Sequence, residues 1–176
     1  MRLCRFCAVM FGFVSLLLFG TGAAAWAGPG DTNTTFDLTS GTLAISVPSS
    51  ANLGSFSTGS TLVSGTLGST TVNDTRAALV AQWSASVSST DFTTGTATAN
   101  ETVAKAKVAY TTGVGSSTGT GAFVPVGAAS LIAPGVAGTW AGVGNNSTSW
   151  NPTVAMTLLG SQVAGTYTGT ITHSVL

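Results

Sequence analysis

The chain has 176 residues, 44% hydrophobic and only 6% charged, with five basic residues, five acidic ones and one histidine. No basic patch exists to hold nucleic acid or anionic lipid. Disorder is also excluded, because it needs low hydrophobicity together with high charge.

Residues 1–27 read as a signal peptide. Arg2 and Arg5 form a positive start, residues 8–20 (AVMFGFVSLLLFG) an uncharged apolar run, and Ala25-Trp26-Ala27 supplies small residues before a cut after Ala27. The run is shorter than the roughly 20 residues of a membrane span. Both cysteines, Cys4 and Cys7, fall inside residues 1–27, so residues 28–176 have neither a disulfide nor a thiol nucleophile. That part carries Arg76, Lys105 and Lys107 against Asp31, Asp37, Asp74, Asp91 and Glu101, a net charge of −2. The expected location is secreted, extracellular or cell-wall associated, with no membrane contact after cleavage.

Residues 28–36 read as a flexible lead-in to a single domain, 37–176. Leu43, Ile45 and Val47 alternate before Pro48, which gives a strand with one buried side. Residues 61–67 and 70–74 flank Gly68 and predict a hairpin. From Leu79 to Val87, Trp83, Ala85 and Val87 share a face. Residues 103–110 (VAKAKVAY) predict one strand with the lysines on one side, and residues 113–121 a Gly/Ser/Thr loop. Short apolar pieces follow at 122–126, 130–133 and 136–143, and Asn145-Asn146 marks a turn. Trp150 to Leu159 alternates, with Pro152 placing it at a sheet edge or at a strand start. The last strand puts Tyr167, Ile171, His173 and Val175 on one face and threonines on the other. Many short strands cut by turn residues predict an all-β fold, an antiparallel β-sandwich of Ig-like or jelly-roll-like type, or a barrel.

Few residues here carry chemistry. A Ser-His-Asp arrangement would have to use His173, and no GxSxG elbow is present. A zinc site would need His or Cys partners for His173 that residues 28–176 lack. No cofactor or metal is expected, and no enzyme activity. Asp74 and Arg76, two apart, form either a fork for a ligand or a local brace. Trp83, Trp140 and Trp150 either stack on sugar rings or fill the core. The sequons at Asn33, Asn73, Asn100, Asn145 and Asn146 mark surface turns.

Two blocks, VNDTRAALVAQWSASVSSTDF (72–92) and GTYTGTITHSVL (165–176), together resemble the WxL family of bacterial cell-wall-binding surface domains. In that likeness Asp74, Arg76, Asp91 and Phe92 match structural motif positions, and Trp83-Ser84-Ala85 stands at the first W-x-L. Tyr167, Gly169, Thr170 and Ile171 match the closing strand, and His173-Ser174-Val175 stands at the second W-x-L. The departures are Ala85 for the first leucine, His173 for the second tryptophan and Val175 for its leucine. The resemblance implies a β-sandwich held non-covalently at the wall, with peptidoglycan or another wall glycan as partner. Trp83, Trp140, Trp150, Tyr167 and His173 are the candidate contact residues. The alternative is a structural subunit or adhesin that joins other surface proteins through strand edges.

Overall fold

The computed structural model describes residues 33–176. The expected signal peptide and most of the lead-in lie outside them, and residues 33–36 form no regular element. The compact unit runs from Leu38 to Leu176. It is all-β, with antiparallel sheets and only two single-turn 3-10 segments.

The strands in chain order are β1 (Leu43–Ser46), β2 (Leu62–Thr66), β3 (Thr70–Asp74), β4 (Ala81–Ser89), β5 (Phe92–Thr93) and β6 (Thr102–Val103). They continue as β7 (Val108–Thr111), β8 (Gly115–Pro125), β9 (Gly127–Ala128), β10 (Gly135–Trp150), β11 (Thr153–Thr157) and β12 (Ile171–Val175). Six of them make a large sheet built around β10. The first half of β10 pairs with β4 and its second half with β3, while β8 follows its other edge from Gly138 to Trp150, with a break between Val143 and Ser147. β1 extends the sheet beyond β3, and β12 extends it beyond β4.

This large sheet turns a corner. Phe123 pairs with Trp140, and Gly115 with Trp150. Yet the Phe123 and Trp150 rings stack at 5.3 Å between centroids. Eight residues of straight strand would separate Phe123 from Gly115 by about 26 Å. The bend falls where the β8–β10 register shifts between Val143 and Ser147. Opposite it sits Gly119 at φ +107°, a conformation that side chains rarely adopt. The bend divides the sheet into two walls. One holds β1, β3 and the second half of β10; the other holds β12, β4 and the first half. β1 and β12 come close at the far side, so the sheet nearly closes on itself. A second sheet, ordered β2-β11-β7-β9, packs its Val108, Tyr110, Val154 and Met156 into the same core.

Several expected elements differ. Residues 61–67 and 70–74 form no hairpin: β2 and β3 belong to different sheets, and residues 67–69 cross between them. The stretch 103–110 is not one strand. It breaks into a 3-10 turn, Lys105–Lys107, because the Asp91 Oδ1 takes the Lys105 N–H at 2.7 Å and Lys107 N–H bonds Ala104. The expected loop 113–121 is mostly strand, since β10 supplies it with a partner edge from Gly115 onward. Asn145-Asn146 lies within β10, and Asn146 is buried, so that sequon is not at a surface turn. Pro152 stands just before β11, which is an inner strand of its sheet. Tyr167 precedes the last strand, which begins at Ile171.

Candidate functional site

The residues singled out for binding converge mainly on the core. Alternation on β4 aims Trp83 inward, and alternation on β10 does the same for Trp140 and Trp150. They are 4%, 2% and 3% exposed. Trp83 stacks on Trp140 at 6.4 Å and on Trp150 at 6.5 Å, with Phe123 tilted against it at 5.8 Å. Their role as stacking platforms for sugar is therefore corrected: no face of these rings meets solvent, and burial of this aromatic area stabilises the bent sheet.

Two indole N–H groups start hydrogen-bonded chains. Trp83 donates to Asn146 Oδ1 at 2.8 Å, and the Asn146 amide donates to Asp74 Oδ2 at 3.3 Å. Arg76 closes this chain with a two-pronged bond to both Asp74 oxygens at 2.9 Å and a third bond to the Gln82 carbonyl. The Asp74–Arg76 pair is thus a brace at the corner, and its forked geometry is used up internally. Hydrogen bonding from Arg76 lowers the Asp74 carboxyl below its ordinary value, against an opposing push from burial.

The second chain joins three layers. Trp150 Nε1 lies 3.1 Å from the Tyr110 hydroxyl, which lies 3.0 Å from His173 Nε2. An indole N–H can only donate, so the phenol oxygen accepts from it; the phenol O–H has no acceptor among the described residues other than His173 Nε2, and donates there. The neutral ring therefore carries its proton on Nδ1, a buried atom with no partner among the described residues. Burial lowers the His173 pKa and raises that of Tyr110 to about 12. Beside His173 a cleft of about 180 Å³ opens between Pro48, Leu53, Leu67, Phe92 and Ile171.

The other predicted residues are set apart. Asp91 is exposed and caps the Lys105 turn. Phe92 lies against Gly169, where a Cβ would stand 2.7 Å from its ring. That close approach explains the glycine of the closing block. Tyr167 is half-buried, with its hydroxyl at the Asn100 and Val163 carbonyls. Sequence reasoning missed Tyr110, Phe123 and Asn146. Tyr110 and Phe123 sat in apolar runs that gave no sign of their partners, and Asn146 looked like a turn residue.

No set of three His, Cys, Asp or Glu among the described residues is grouped to hold a metal. No described helix is long and apolar enough to cross a membrane. The surface that remains is the outer face of the large sheet. Thr71 and Ser149 hydroxyls meet across β3 and β10 at 2.8 Å, and Ser147 donates to Asn73 at 2.6 Å. Gln82, Ser84, Ser86 and Ser88 continue that face along β4, and no strand residue on it is charged. Comparison with family models, curated proteins and solved structures finds no match for this chain.

Proposed function

We propose that the protein is a secreted, non-enzymatic surface module that binds cell-wall glycan, peptidoglycan or a related polymer, without a covalent link. The observation that carries this reading is the uncharged outer face of the large sheet, rich in hydroxyl and amide groups with Val124, Val136 and Val143 among them. Such a face offers donors and acceptors matched to sugar hydroxyls and acetamido groups, and it gives ionic ligands nothing to grip. The likeness of residues 72–92 and 165–176 to the WxL family supports the same reading. The buried tryptophans move the contact from aromatic stacking to the polar strand face.

The test is sedimentation of the chain from Gly28 onward with insoluble peptidoglycan, against an unrelated insoluble polysaccharide. Selective capture that survives a change from low to high salt is expected, because salt screens only charges. Replacing Ser84 and Ser147 together by arginine should reduce the captured fraction severalfold. Protein that stays in the supernatant, or is released by salt, would sink the proposal.

A further inference from the structure

We propose that β8 is a self-association edge, which pairs antiparallel with β8 of a second copy of this chain across a two-fold axis at Gly119. The inference is independent of glycan binding, since it uses the sheet edge and not its outer face.

The edge is open and unguarded. β8 pairs only with β10 among the described residues, so the other side of an eleven-residue strand presents free N–H and C=O groups. Ten of its residues are exposed, and Phe123 is half-buried. Sheet proteins usually protect such edges with lysines, inward charges or a central proline. β8 reads GSSTGTGAFVP, with no charge and its one proline at the end. Exposed Val124 lies on the strand opposite Thr139, and exposed Val143 lies on β10 opposite Thr120.

The bend at Gly119 selects the occupant. A straight strand laid along this edge would leave it at the corner, after the four residues of one arm or the six of the other. A second β8 has the same bend at the same residue. Two such edges stay in contact on both sides of the corner only if the corners coincide, which puts Gly119 opposite Gly119. In that register Thr118 faces Thr120 and Ser116 faces Ala122, each on the outer face. On the inner side Gly115 stands opposite Phe123 of the second copy, while within each chain the space beside Gly115 is filled by that chain's own Phe123 ring. The parity is right, because every pair joins residues of the same face. A two-fold interface of this kind closes on itself as a dimer and does not propagate. Like-charge repulsion does not oppose it, because no charged residue lies on β8.

Analytical ultracentrifugation of the chain from Gly28, over a concentration series, tests the pairing. The wild type should shift from monomer to dimer and no further. Combining Ser116→Lys with Ala122→Lys places like charges opposite each other twice across the axis, and should weaken dimerisation on the order of tenfold or more. Combining Ser116→Glu with Ala122→Lys places opposite charges in the same two pairs, and should restore it. A wild type that is monomeric throughout overturns the proposal. So does a dimer indifferent to the double lysine, or a Glu/Lys variant no tighter than the Lys/Lys one. Should a charged variant fail to fold by circular dichroism, Ser116→Cys with Ala122→Cys serves instead. The chain from Gly28 has no other cysteine, so a disulfide-linked dimer supports the register, and absence of cross-linking under oxidation counts against it.

Discussion

At the residue scale, the Tyr110 hydroxyl has the most consequence. It accepts a hydrogen bond from the Trp150 indole on one wall and donates one to His173 on the other. Protonating His173 would turn its Nε2 into a donor facing a hydroxyl that is already donating, so the phenol proton would lose its partner. Burial acts in the same direction and lowers the folded pKa below 6.5. The unfolded chain then takes up the proton first as pH falls. The stability involved is present above about pH 6.5 and is lost as pH falls through the folded value. Thermal melting at pH 7.5 and 5.5 reads this with little interference, since most carboxylates titrate lower. The wild type should lose several degrees between the two, and His173→Gln should lose less. Equal losses would refute the half-buried neutral histidine. The alternation of the last strand already put His173 on the inward side, but its partner could not be read: Tyr110 lies 63 positions away, on a strand of the other sheet.

At the element scale, the corner is where local propensity and tertiary pairing disagree. β3 and β4 lie in line along β10, interrupted by residues 75–80, and that interruption crosses the bend. Ala77 is held there at φ +53°, with its N–H on Asn145 Oδ1 and the neighbouring Ala78 carbonyl on the Gly144 N–H. A left-handed alanine costs about 1–2 kcal/mol, while glycine adds an entropic cost of about 0.5–1 kcal/mol. Ala77→Gly should therefore stabilise the protein by about 0.5 kcal/mol, the difference of those terms. Ala78→Gly, where no positive φ needs relief, should destabilise it. Urea denaturation of both variants checks the opposite signs, and destabilisation by both would contradict a strained corner. The same region shows what the sequence could convey. The clean alternation of β4 and β12 was legible because each strand buries one face. β8 was not, since its glycines, serines and threonines resemble a loop until β10 provides its ladder. The bend was also hidden, because a glycine within a polar run looks the same whether it opens a turn or folds a sheet.

At the scale of the whole molecule, both walls and the second sheet share one core. Trp83, Trp140 and Trp150 sit at its centre, with Val72 from β3, Val87 from β4 and Val154 from β11 around them. No described element has a separate core to fall back on, and the chain from Gly28 has no disulfide to hold one part while another melts. Removing any wall exposes the indoles to water. Unfolding should then be a single cooperative event, in which the tryptophan environment and the strand content are lost together. In the native state the emission of the chain from Gly28 should be blue-shifted and poorly quenched by acrylamide, since its three tryptophans are all buried. Titration with urea, followed by emission and by far-ultraviolet circular dichroism, should give coincident midpoints. A native spectrum already at the wavelength of solvated indole would return the tryptophans to the surface, and with them the sugar-stacking role that their burial removes. Midpoints that separate would mean that the two sheets part before the core opens. That would assign the Tyr110 bridge a smaller share in joining the layers than its position between Trp150 and His173 implies.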